Sequence, residues 1–309
     1  MSNVVLMKKE AEIHEMKIHY NRAISEKTPP GSIFSAKIPG CTITAYKSGK
    51  VLFQGPECER EALKWGTAAP KNEQKTAKTA GSHLPANFAE LSVIGSDEVG
   101  TGDYFGPITV VAAYVRKEDI PVLQELGVRD SKNLNDAKIS AIAKELIKLI
   151  PYKLLVLKNE KYNKYQQSGM SQGKMKALLH NQAITQLLEK IAPEQPEAIL
   201  IDQFAEEHVY YQHLKGQQII QKERVYFSTK AEGIHLAVAA ASIIARYAFV
   251  LCFEELSEAA GFTLPKGAGA LVDQAGARLI KEKGIESLPQ FAKMHFANTE
   301  KAVLISKQK

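Results

Sequence analysis

The sequence predicts an α/β protein with a mixed, partly parallel sheet flanked by helices, preceded by a small α+β unit. Three observations carry this reading. From residue 91 onward, short apolar runs alternate with long helical patterns, as in layered α/β proteins. Residues 1–65 read instead as a helix, three short strands and a second helix. Between them, residues 66–85 carry one bulky aliphatic side chain, no aromatic, and a bias to Ala, Thr, Lys, Pro and Gly, so they bury little surface and read as a flexible basic linker. The expected division is 1–65, 66–85 and 86–309. With 309 residues, 45% apolar and 24% charged, the chain has ordinary globular composition, which excludes wholesale disorder and fibrous repeats.

In the first unit, residues 8–24 have a helical pattern with Ile13, Met16, Ile18 and Ala23 among charges. Strands are expected over 33–38, 42–46 and 51–54. Pro39-Gly40 divides the first two, and Ser48-Gly49 makes a tight hairpin between the last two. Pro56 then opens a short helix over 57–65. A sheet with helices on one face leaves the other face free as a binding surface.

In the second unit, strands are expected over 91–96, 107–115, 153–157, 198–201 and 225–227, and helices over 135–150, 171–191, 206–215, 236–256 and 268–283. The run 234–253 is the most apolar, but it contains His235, Ser242 and Arg246, so it reads as a buried soluble helix and not a membrane span. Cys41, Cys58 and Cys252 lie far apart without CxxC spacing, which argues against a disulfide framework or a zinc cluster. The N-terminal residues do not have the pattern of a secretory signal, and a cytoplasmic setting is expected.

Charge is unevenly divided. Residues 1–90 hold 13 Lys/Arg and 9 Asp/Glu, net +4; the remainder holds 27 and 25, net +2, which together give +6. A positive excess in a soluble protein points to a polyanionic partner.

Three segments carry acids to element ends. In the segment from Gly95 to Pro107, Asp97 and Glu98 follow an apolar run and four glycines (95, 100, 102, 106) fall within twelve residues. Charge beside a buried strand needs a compensating ion, and glycines let backbone approach a phosphate. Asp202 ends the apolar run Ala198-Ile199-Leu200-Ile201, where sites form in open α/β sheets. Glu232 lies on the approach to the longest apolar helix. Singly, these acids also read as a loop acid, a helix cap and a helix-start acid. Together they suggest a carboxylate cluster at one sheet edge, suited to Mg²⁺ or Mn²⁺ and to phosphodiester chemistry.

The run Gly95-Ser96-Asp97-Glu98-Val99-Gly100-Thr101-Gly102 with Gly106-Pro107 resembles the opening motif of the type 2 ribonucleases H. Asp130-Ser131-Lys132-Asn133-Leu134 matches the DSKxL motif of that family, Asp202 stands where its third acid belongs, and Lys230-Ala231-Glu232 with the segment 239–246 matches the part carrying the fourth. Two departures, Thr101 between the glycines and Glu232 in place of Asp, together with the N-terminal extension, resemble the HIII subfamily. The resemblance implies a ribonuclease H-like catalytic domain and an extension like the TATA-box-binding protein that helps hold substrate. It implies endonucleolytic hydrolysis of the RNA strand of an RNA/DNA hybrid, leaving 5′-phosphate and 3′-hydroxyl ends. It makes Asp97, Glu98, Asp202 and Glu232 the catalytic and metal-binding acids, holding Mg²⁺ or Mn²⁺. Substrate contacts are expected from Gly100, Thr101 and Gly102, which would sense the ribose 2′-hydroxyl, and from Ser131 and Lys132 at phosphate. A monomer acting on the hybrid, with no membrane partner, is expected. The alternatives are an HII-type enzyme that cuts at single embedded ribonucleotides and a non-catalytic nucleic-acid-binding protein. Ser242 and Arg246, four apart on one helix, either face the site together or anchor that helix. His235 is expected to be structural, and Tyr104 and Phe105 to pack.

Overall fold

The computed structural model describes residues 3–25, 28–29, 31–66, 84–128 and 134–308. The chain divides into two compact units, Met1–Thr79 and Ala80–Lys309. Most of the expected linker, and with it Lys71, Lys75 and Lys78, lies outside the described residues.

The first unit contains β1 (Asn3–Met7), α1 (Glu10–His19), β2 (Ser32–Ile38), β3 (Cys41–Tyr46), β4 (Lys50–Gln54) and α2 (Cys58–Leu63). Its sheet has four strands, in the order β1-β4-β3-β2, not three. The extra strand is the short apolar patch at the N-terminus, which pairs antiparallel with β4 from Asn3↔Gln54 to Met7↔Lys50. Five residues are too few to show a period, and only the partner strand makes them β. One face, with Leu6, Phe34, Ile43, Val51 and Phe53, buries against Ile13 and Met16 of α1 and Cys58 and Ala62 of α2. The opposite face presents Met7, Lys37, Lys50 and Gln54 to solvent, with Thr42 and Leu52 half-buried among them.

The second unit runs β5 (Val93–Val99), β6 (Ile108–Val115), α3 (Ile120–Glu125), α4 (Asp136–Leu149), β7 (Tyr152–Leu157), α5 (Asn159–Gln167), α6 (Gln172–Ile191), β8 (Ala198–Asp202), α7 (Glu207–His213), β9 (Val225–Ser228), α8 (Leu236–Ala260), α9 (Ala270–Lys283), α10 (Leu288–Phe291) and α11 (Asn298–Ser306). The sheet order is β7-β6-β5-β8-β9. β6 runs antiparallel to both of its neighbours, β5 and β7, whereas β5, β8 and β9 run parallel, so the sheet is mixed as expected. Every residue of β6 is buried, because both faces are covered. Val111, Ala113 and Val115 face the layer of α4 and α8, while Val110, Ala112 and Tyr114 face that of α6.

β5 extends to Val99 rather than stopping at Ser96, because β6 supplies partners for the acids themselves: Asp97↔Val111, Glu98↔Val110 and Val99↔Thr109. Alternation then sends Asp97 to the α8 face and Glu98 to the α6 face. α8 is long and apolar enough to cross a membrane, but 72% of its most apolar window is buried inside the unit, as befits a core helix. It lies unusually close to β5 because Gly95 has no side chain: a Cβ there would stand 2.2 Å from the backbone at Ala237 and Val238.

Gly95→Ala should therefore destabilise the protein by about 3 kcal/mol or more, since the obstacle is backbone that cannot rotate away. Gly233→Ala, where a Cβ meets nothing within 4 Å, should stay within ~0.5 kcal/mol of the parent. Urea unfolding of both variants checks the contrast.

Candidate active site

The site lies at the carboxyl end of β5 and β8. These strands are in register up to Ser96↔Ile201, so Asp97 and Asp202 are the next residues along two adjacent parallel strands. Asp202 accepts a hydrogen bond from the Ala231 N–H at 2.9 Å, which ties the end of β8 to the short helical turn Ala231–Gly233. Glu232 sits in that turn and is buried. The preceding residue but one, Lys230, adopts the left-handed conformation at φ 57°, a departure from ordinary backbone that is often found at functional sites.

Asp97 is buried, and its carboxyl is pushed up to about 8, first by burial and then by the negative charges of Glu98 and Asp202; hydrogen bonds from the Ser242 hydroxyl and the Glu98 N–H work in the opposite direction. Glu98 behaves differently although it is the next residue. Burial opposes its charge too, but the hydrogen bond and charge of His180, together with Lys176, hold its carboxyl down at about 2. Lys176 Nζ stands 2.8 Å from Oε1 of Glu98, and His180 Nε2 stands 2.9 Å from Oε2. Behind them, His180 Nδ1 meets the Ser96 hydroxyl at 2.7 Å. The Phe204 ring lies 4.1 Å from Lys176 Nζ and stacks on His180 at 5.2 Å between centroids.

The donor set fits hard divalent cations: every acid offers carboxylate oxygen, and the raised Asp97 marks more negative charge than the neighbouring protein groups balance. Among the described residues, no three His, Cys, Asp or Glu side chains converge as a ready-made ligand shell. The acids instead line an edge, with Asp97 and Glu98 on opposite faces of the sheet.

The glycine-rich loop follows directly. Gly100 has φ 96°, and a Cβ there would lie 2.2 Å from the Pro107 carbonyl oxygen, so it is fixed by packing. Thr101 is half-buried, and its carbonyl accepts from Gln172 Nε2 at 3.1 Å. Gly102 is exposed with open space where a Cβ would be. Tyr104 and Phe105 are fully buried with Phe249, Phe253 and Phe291, and so they pack. Lys293, also fully buried, donates to the carbonyls of Asp103 at 2.8 Å and Gly106 at 2.5 Å and so clasps both ends of this turn. Burial pushes its ammonium down to about 7. Ser131 and Lys132, with the rest of 129–133, lie outside the described residues.

Ser242 and Arg246 do not act together. Ser242 turns to Asp97, whereas Arg246 pairs with Asp136 of α4 at 3.0 Å, which Lys266 also reaches at 2.6 Å. His235 caps α8, accepting from the Ala237 N–H at 3.0 Å, with its other ring nitrogen 3.0 Å from the Leu91 carbonyl. Sequence reasoning missed Lys176, His180 and Lys293. The available signal was a lysine and a histidine four apart on the half-buried face of a long helix, but nothing in the sequence pairs them with an acid about 80 residues away.

A model of the Ribonuclease HII family matches residues 94–299, and a Domain of unknown function (DUF3378) matches residues 3–78. The fold and the acid-lined edge thus define a type 2 ribonuclease H. The chain is 61% identical to Ribonuclease HIII of Bacillus subtilis, covering 100% of this chain and 99% of that protein, and 57% identical to Ribonuclease HIII of Bacillus cereus, covering 99% and 100%. A crystal structure of Bst-RNase HIII in complex with Mn²⁺ superposes with a TM-score of 0.73 at 48% identity, covering 100% of each chain. The chain belongs to the ribonuclease HIII family.

One consequence concerns His235, whose ring burial pulls down to about 4. An unfolded histidine takes up a proton near pH 6.5 that the folded ring refuses until about pH 4, so stability should fall as pH falls through that window, by up to about 3 kcal/mol. His235→Asn, which retains a capping side chain, should flatten this slope in urea unfolding at pH 7 and pH 5.

Proposed function

We propose that this chain is an endonuclease that hydrolyses the RNA strand of RNA/DNA hybrids, leaving 5′-phosphate and 3′-hydroxyl ends, with Mg²⁺ or Mn²⁺ held by Asp97, Glu98, Asp202 and Glu232. The observation that carries the reading is the crowding of Asp97, Glu98 and Asp202 at one sheet edge, where burial first and then the charges of Glu98 and Asp202 push the Asp97 carboxyl up to about 8. When bound, divalent cations would offset the charge of the scissile phosphate and make a bound water acidic enough to attack it. The protein's part is orientation. Ser242 aims Asp97, the Ala231 N–H aims Asp202, and His180 aims Glu98. The backbone at Gly102, open to solvent, is suited to reading a ribose 2′-hydroxyl, with Gly100 and Thr101 setting its path. Ser131 and Lys132 contribute phosphate contacts in this reading.

The division into a substrate-binding unit at 1–65, a linker at 66–85 and a catalytic unit at 86–309 belongs to the same proposal. The helix-free sheet face of the first unit, with Lys37, Lys50 and Gln54, presents positive and polar groups to the duplex. The protein works as a cytoplasmic monomer.

Two experiments test this. A uniform hybrid and a duplex with several ribonucleotides should be cut in Mg²⁺ or Mn²⁺, and efficient cutting of a duplex with one ribonucleotide would sink the HIII-type specificity. Asp97→Asn should lower cleavage by more than ~100-fold, beyond the 10–100-fold typical of losing an outer partner of a metal ligand. Anisotropy of a labelled hybrid should show binding largely retained; an active variant would remove Asp97 from the site.

A further inference from the structure

Both oxygens of Glu98 meet cationic or ring-nitrogen partners, and the two partners differ in kind. His180 is fully buried and is itself held from behind by Ser96, whose hydroxyl also reaches the Val111 carbonyl oxygen at 3.1 Å. It is a fixed support for Oε2. Lys176 is a long flexible chain, with 12% of its side chain exposed, and its ammonium lies between Glu98 Oε1 and the face of Phe204. An ammonium with an aromatic face on its other side has a second favourable position available when it leaves the carboxylate.

We propose that Lys176 is a resident counter-cation for Glu98 in the metal-free protein and gives up Oε1 when a divalent cation arrives, while His180 keeps Oε2 in place as a positioning residue. The proposal rests on the reading of the acids as a metal site. It accounts for two facts at once. The site can fold with its buried and half-buried carboxylates because Lys176 supplies charge that would otherwise be missing, and among the described residues the acids do not converge as a closed ligand shell because one of them is turned to a protein cation. Lys176 yields the carboxylate readily because its side chain keeps some solvent contact and its ammonium keeps the Phe204 ring, whereas His180, without solvent contact, stays. The ion pair therefore stabilises the metal-free state and competes with the metal. Its removal should weaken the first and strengthen the second.

The test is Mn²⁺ titration by calorimetry, with thermal unfolding in chelator and in saturating Mn²⁺, on the full-length parent and on Lys176→Met, Lys176→Arg and Glu98→Gln. Lys176→Met, similar in length but uncharged, should bind Mn²⁺ about tenfold more tightly, the scale of one lost charge-assisted competitor. It should melt lower than the parent in chelator and gain more from Mn²⁺. Lys176→Arg should stay near the parent. Adding Lys176→Met to Glu98→Gln should change Mn²⁺ affinity little, because the carboxylate charge is already gone. Lys176→Gln serves the same comparison if the methionine variant does not fold. Unchanged or weaker Mn²⁺ binding by the uncharged variants would overturn the proposal and make Lys176 a support of the ligand. A parent that bound no Mn²⁺ would instead overturn the metal-site reading itself.

Discussion

Repulsion among buried carboxylates at one sheet edge is the constraint around which the second unit is built. Two parallel strands ending side by side bring Asp97 and Asp202 together, and the next residue of β5 adds Glu98. Like charges this close oppose one another's ionisation, and burial adds to the cost. The fold distributes that cost unequally. Strand alternation sends Glu98 to the α6 face, where Lys176 and His180 balance it, and leaves Asp97 on the α8 face, where a serine hydroxyl and its neighbour's N–H stand against burial and two negative neighbours. One carboxyl is held charged and the other is left short of positive charge, which is the condition in which a cation binds most favourably.

The same edge requires a rigid frame, and much of it is backbone. Gly95 lets α8 approach β5 closely enough for Ser242 to reach Asp97. Beyond the acids the chain must turn tightly, and Gly100 fills a position where packing against Pro107 leaves no room for a side chain. The turn is then closed from the C-terminal side. Lys293 donates to two of its carbonyls, the Gly267 N–H donates to Asp103 at 2.6 Å, and the Tyr104 N–H donates to the Gly267 carbonyl at 2.9 Å. A loop so fastened can present the exposed Gly102 to a substrate in one conformation, which lowers the entropic cost of recognition.

These features differ in how far they can be read from the amino-acid sequence. Asp97, Glu98 and Asp202 were legible because each follows an apolar run, and a strand end is a local property. The mixed sheet was legible for the same reason: its strands and helices have distinct periods. β1 was not, since its five residues become a strand only by pairing with β4. The extent of β5 was also hidden, because charged Asp97 and Glu98 look like the start of a loop until β6 is known to lie alongside. Lys176 and His180 were out of reach for a related reason: the face they share on α6 meets Glu98 only through the tertiary fold. Arg246 shows a different limit. Helical spacing left open whether it faces the site with Ser242 or anchors the helix, and its long side chain reaches Asp136 on α4. Sequence spacing shows which residues share an element; it does not show where a long side chain ends.

The uneven charge of the chain follows from the same constraint. A unit that concentrates acids must either import cations or spend its own basic residues on them, and this one does both: Lys176 is committed to Glu98, and Arg246 and Lys266 are committed to Asp136. Cations tied up in this way contribute little long-range attraction for a polyanion, and residues 91–309, with 27 basic and 25 acidic residues, are nearly neutral at +2. The larger positive excess falls in residues 1–90, at +4. With the first unit holding the duplex as proposed, this separation would let the acid-lined edge remain short of positive charge without surrendering attraction for a backbone that is negative throughout.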